Sequence, residues 1–131
     1  DIWGVIMPES SPLAAKDAVT VDDLIGIPLL TSEQSWKNDI GRWCGERLSE
    51  LSLDGSFRLA YNASMFVLEG LGYQLTFDRL VSTSPGSGLV FRPLSPVLET
   101  KLFLIWNRYQ TFTPAAERFL AQVRKDFRAS K

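Results

Sequence analysis

Apolar and polar positions alternate with a period of two at Phe57, Leu59 and Tyr61, set against Ser56, Arg58 and Ala60, which predicts a strand. Met65, Phe66, Leu68 and Leu71 then recur at helical spacing, and Gly70 and Gly72 supply a helix stop. Tyr73, Leu75 and Phe77 resume the alternation, so the unit reads strand, helix, strand. Asn62 and Ser64 stand at the predicted joint, where short polar side chains cap a helix well. A helix N-terminus at the carboxyl end of a strand offers free N–H groups, and ligands of open α/β sheets bind there. Capping and ligand contact are both open to Asn62 and Ser64.

The remaining chain obeys the same logic. Asp1 to Pro8 reads as a strand, and Ser10 to Ala14 as a turn with Pro12 at its second position. Thr20 is placed to cap a short helical turn through Val21, Asp22, Asp23 and Leu24, which Gly26 ends. Ile27 to Thr31 is continuously apolar up to its last residue, as expected for a strand buried on both faces. A polar loop, Thr31 to Ser35, leads into a helix with Ser35 as the expected N-cap. Trp36, Ile40, Trp43, Cys44, Arg47, Leu48 and Leu51 mark one face of that helix at the 3.6-residue period. Asp54-Gly55 is a turn signal. Leu89 to Leu94 and Lys101 to Trp106 read as further strands. Thr113 and Pro114 then open a last helix whose apolar stripe is Ala116, Phe119, Leu120, Val123 and Phe127. Arg124, Lys125 and Arg128 crowd its carboxyl end, where cations suit the helix dipole. Alternation of strands and helices argues for an α/β domain with a largely parallel sheet.

Charge and composition narrow the function more than the fold. The 131 residues carry 14 Lys and Arg against 15 Asp and Glu, a net charge of −1, without the basic excess a nucleic-acid binder usually shows. A lone cysteine, Cys44, allows no internal disulfide and suits a reducing compartment. The chain contains no histidine, which removes the commonest general base and metal ligand. Serine has no base beside it for a hydrolase site, the acidic residues lack metal-loop spacing, and Pro85 to Leu89 lacks the lysine of a phosphate loop. No catalytic activity, metal or cofactor is therefore expected. No apolar run approaches the ~18–20 residues needed to cross a bilayer, so no membrane partner is expected either. Two loops are left as candidates for binding, Thr31 to Ser35 and Asn62 to Ser64, each at the carboxyl end of a predicted parallel strand and facing a common crevice.

Five motifs, in order and at the right spacing, resemble the effector-binding domain of LysR-type transcriptional regulators. They are WGVIMPESSPLA (Trp3 to Ala14), VTVDDLIGIPLL (Val19 to Leu30), VLEGLGYQLTF (Val67 to Phe77), GLVFRPLSP (Gly88 to Pro96), and Lys101 to Lys125 with its TPAAERFL run. Thr76 and Phe77 depart from the Leu-Pro often found in the family. The resemblance implies an α/β, type II periplasmic-binding-protein-like fold, with a Rossmann-like subdomain and a mixed, mainly parallel sheet. Residues 1–12 would be the crossover strand of subdomain I, and 13–98 would be subdomain II. Residues 99–131 would supply the return strand and C-terminal helix of subdomain I. A DNA-binding domain and the first half of subdomain I are expected to lie outside this chain, which opens inside an apolar run. The implied partner is a small-molecule effector, an organic acid being one class, and DNA would be reached only through the other domain. Implied effector-binding residues are Thr31, Ser32, Gln34, Asn62, Ser64, Thr76 and Phe77, in a cytoplasmic protein. A fragment of a periplasmic solute-binding protein is the alternative with the same architecture. With partner strands outside the chain, Ile2–Met7 and Leu102–Trp106 are expected to expose edges, and so to self-associate or to pair with each other.

Overall fold

Five strands form one sheet in the order β3-β2-β4-β1-β5 in the computed structural model, which describes residues 1–128 and, of Arg128, the backbone only. The strands are β1 (Trp3–Pro8), β2 (Pro28–Thr31), β3 (Ser52–Ser56), β4 (Tyr73–Phe77) and β5 (Leu89–Pro93). β2 pairs in parallel with both β3 and β4, whereas β1 runs antiparallel to β4 and β5. Four strands therefore share a direction and β1 alone opposes them. β1 is paired on both sides, so the open edge expected along Ile2–Met7 is absent.

The helices cover both faces. A 3-10 turn (Pro12–Ala15) and α1 (Val21–Leu24) lead to β2. After β2 comes α2, residues 33–50, which starts as an α turn and widens to π geometry over Trp36–Ile40. It returns to α at Gly41–Cys44 and tightens to 3-10 over Gly45–Glu50. α3 (Ala60–Leu68) and α4 (Pro114–Arg128) complete the set. The apolar stripe expected on α2 is the one it buries: Ile40, Cys44 and Leu51 join Trp3, Val5, Met7, Leu29 and Leu75 in the larger core. On the opposite face Val67 of α3 packs against Ile6, Val81 and Leu89. The odd residues of β1 thus face α2 and Ile6 faces α3, as the two-residue period of a strand requires.

The end of α3 is built as the sequence suggests. Gly70 has φ +75°. Its N–H donates to the Val67 carbonyl at 3.0 Å, and the Leu71 N–H donates to the Phe66 carbonyl at 3.0 Å. Those two bonds are the Schellman pattern, which satisfies carbonyls the helix leaves open.

Further expectations fail. Residues 57–61 are not a strand, and Asp54-Gly55 is not a turn, because β3 occupies Ser52–Ser56. The apolar signal of β3 is hidden: as an edge strand it carries only Leu53 as a large apolar residue, and a Cβ on Gly55 would lie 2.8 Å from Leu30 Cδ2. Residues 101–106 pair with no strand among the described residues and are exposed. Antiparallel bonding between the chain start and this region stops at the Ile2–Glu99 bridge and the Thr100 N–H to Asp1 carbonyl bond, so the two apolar segments do not pair with each other. KLFLIW is apolar on both faces of an extended chain and needs cover on both to form a ladder.

Candidate functional site

Parallel pairing sets Thr31 opposite Ser56, which brings the carboxyl ends of β2 and β3 side by side. The segment beyond each strand supplies one wall of a shared groove of about 680 Å3. Ser32, Glu33 and Gln34 come from the start of α2, and Ser56, Phe57 and Arg58 from the joint between β3 and α3. Ser32, not Ser35, caps α2. Its Oγ accepts the Ser35 N–H at 3.1 Å and donates to the Ser35 Oγ at 2.7 Å. Glu33 then sits in the first turn, where a negative charge suits the helix dipole.

A smaller cavity of about 250 Å3 lies against the outer edge of the sheet, lined by Leu30, Gly55, Asn62, Phe66 and Leu71 among others. Ser56 and Phe57 belong to the walls of both cavities. One cavity is polar and charged, the other mostly apolar.

The expected site residues divide into two groups. Ser32 and Gln34 meet in the groove, and Asn62 lines the adjoining cavity. Thr31 is buried, its Oγ1 donating to the Leu75 carbonyl at 3.0 Å. Ser64 is buried inside α3, its Oγ donating to the Tyr61 carbonyl at 2.6 Å. Neither Asn62 nor Ser64 caps α3; the N-cap position is Leu59, which offers no side-chain acceptor. Thr76 is buried within β4, and the half-buried ring of Phe77 meets Trp3 edge to face at 4.4 Å.

Glu33 lies in the expected Thr31–Ser35 loop, whereas Ser56, Phe57 and Arg58 are the groove residues the sequence pattern did not single out. Their signal is obscured when Asp54-Gly55 is taken as a turn, which displaces the end of β3 past them. The pattern also misses Gln74, fully buried under α3, where its Nε2 donates to the Ala60 carbonyl at 3.0 Å and its Oε1 has no partner among the described residues.

The groove offers hydroxyl, amide, carboxylate and guanidinium groups around one aromatic ring. That set can hold a small polar molecule by hydrogen bonds and ion pairs, and contains no nucleophile paired with a base. Cys44 takes no part: it lies in the core, where burial pushes its thiol up to about 11. Among the described residues no three His, Cys, Asp or Glu side chains converge as a metal site would require.

The LysR substrate binding domain family matches residues 2–128. No curated protein matches the chain. Among solved structures, HinK, a LysR family transcriptional regulator from Pseudomonas aeruginosa, superposes with a TM-score of 0.68 at 18% identity, over 95% of this chain and 44% of its own. The regulatory domain of Synechocystis PCC6803 CcmR, solved in complex with 2-PG, gives 0.67 at 14% identity, over 92% of this chain and 60% of its own. The C-terminal domain of a probable LysR family regulator from Rhodococcus sp. RHA1 gives 0.64 at 21% identity, over 94% and 63% respectively. At these identities the likeness establishes the fold, which is the periplasmic-binding-protein-like fold of such regulatory domains, and the chain spans less than half the length of HinK. Matched by one family across almost its whole length, the chain belongs to the LysR substrate binding domain family, the effector-binding part of LysR-type transcriptional regulators.

Proposed function

We propose that this chain is the ligand-sensing part of a cytoplasmic bacterial regulator, and that its effector is a small molecule held in the groove between Ser32–Gln34 and Ser56–Arg58. The observation that carries the reading is the groove itself: two adjacent parallel strands end together there, and the segments beyond them present polar side chains to one space of about 680 Å3. DNA is contacted by a part of the regulator outside these 131 residues. The effector changes DNA binding only to the extent that it prefers one arrangement of the sensor over another. Self-association belongs to the same proposal. Leu102, Phe103, Ile105, Phe119 and Phe127 are all more than half exposed, and clustered exposed apolar side chains mark interaction surfaces.

A thermal-shift screen of small organic acids, amino acids and sugars against the chain tests this reading. A ligand present at about 100 times its Kd stabilises the folded state by about 2.7 kcal/mol, enough to raise Tm by several degrees. The expected result is a compound class that raises Tm in the native chain and fails to do so in Arg58→Gln. A screen with no stabilising compound, or one whose compounds act equally on Arg58→Gln, contradicts it.

A further inference from the structure

The two charged residues of the groove have opposite sign, and neither is satisfied by the protein. Among the described residues the side chains of Glu33, Gln34, Ser56 and Arg58 form no hydrogen bond or ion pair. Lys16 holds Asp23 at 2.6 Å, Arg42 holds Asp39 at 2.7 Å, and Arg47 holds both Asp22 and Glu50. Other exposed charges, Lys37 and Glu69 among them, are also unpaired among the described residues; what distinguishes Glu33 and Arg58 is that a carboxylate and a guanidinium line one cavity from its two walls. The adjoining cavity behind Ser56 and Phe57 is mostly apolar, with Leu30, Phe66 and Leu71 in its lining.

Resting on the reading of this groove as the effector site, we propose that the effector is a zwitterion of the amino-acid type with an apolar tail. Arg58 receives its carboxylate and Glu33 its ammonium group. Gln34 and Ser56 supply neutral hydrogen bonds, and the tail turns along the Phe57 ring towards the apolar cavity. A simple organic acid would leave Glu33 facing uncompensated negative charge, and a simple amine would do the same to Arg58 with positive charge. Each mismatch disfavours binding, which gives the site selectivity against the singly charged analogues.

Isothermal titration of the chain with L-phenylalanine, 3-phenylpropionate and phenethylamine tests this, because the three share a tail and differ in charge. The expected result is that L-phenylalanine binds about ten-fold tighter than either analogue, the size of one charge-assisted hydrogen bond. Glu33→Gln should abolish its advantage over 3-phenylpropionate, and Arg58→Gln its advantage over phenethylamine. Equal binding of 3-phenylpropionate and L-phenylalanine overturns the inference while leaving the groove as a site for acids. Binding of none of the three overturns it as well, and the metabolite screen then decides separately whether the groove is a ligand site at all. The remaining possibility, that the two charges serve each other, is read from ligand-free Tm values. If each single variant lowers Tm and the double variant lowers it no further, Glu33 and Arg58 are partners in a surface ion pair and the inference fails.

Discussion

The Thr31 hydroxyl donates to the Leu75 carbonyl at 3.0 Å, a bond buried between neighbouring strands one step past the last registered pair of β2 and β4. A residue that reads in sequence as the first polar contact of a ligand loop is therefore a clasp that holds β2 against β4. The groove begins only at the next residue, Ser32.

Thr31→Val keeps the shape of the side chain and removes the donor. It should lower stability by about 1–3 kcal/mol, since the buried Leu75 carbonyl loses a partner. Chemical denaturation checks this, and ligand affinity per folded molecule should stay as it was. A variant of native stability with lost binding would return Thr31 to the ligand site.

Gly70 carries the turn out of α3 with φ +75°, and a Cβ there meets no atom within 4 Å. The cost of Gly70→Ala is thus conformational alone, about 1–2 kcal/mol for an L-residue in the left-handed region. Urea unfolding should show a lower midpoint with an unchanged slope.

Cys44 should be inert in the folded chain. Burial raises its thiol to about 11, so at pH 8 almost none is thiolate, and the core excludes reagent. Iodoacetamide labelling with mass-spectrometric readout should be slow in buffer and fast in denaturing urea. Rapid labelling of the native chain would contradict the packing of α2 on the sheet.

Asp23 ties the segment before α1 together, and its acidity arises from its partners. The Lys16 ammonium at 2.6 Å, and then the Thr20 N–H at 2.9 Å, hold the carboxyl below its ordinary value. A depressed folded-state pKa means that the stabilisation is fully present above the unfolded value near ~3.9. It is lost as pH falls through the lower folded value. Asp23→Asn should therefore be less stable than the native chain at pH 6, and the gap should close as the pH is taken below about 4. Thermal unfolding of both proteins across that range measures it.

How much of this is legible in the sequence depends on how each element is buried. β1, β2 and β4 are covered on both faces and declare themselves by apolar runs or alternation, and α2 by a stripe that its changes of helix type do not disturb. β3 is an edge strand whose inward positions are Leu53 and a glycine, so its pattern is too weak to see, and the apparent strand falls several residues late. That displacement moves the candidate loop from Ser56–Arg58, which lines the groove, to Asn62–Ser64. The Lys101–Trp106 error has a different cause: local composition is right for a strand, but pairing needs a neighbour, which local sequence does not report. The groove-lining position of Ser32 and Gln34 is legible because they come directly after the well-marked β2.

The central claim is that ligand binds where β2 and β3 end together. Backbone amide NMR of the isotopically labelled chain, titrated with a mixed set of small acids, amino acids and sugars, tests that claim most directly. Concentration-dependent shifts should cluster at residues 32–34 and 56–58, with little change in 101–106 or along α4. Shifts confined to 101–106 and α4, or no shifts at 32–34 and 56–58 with any compound, would contradict it.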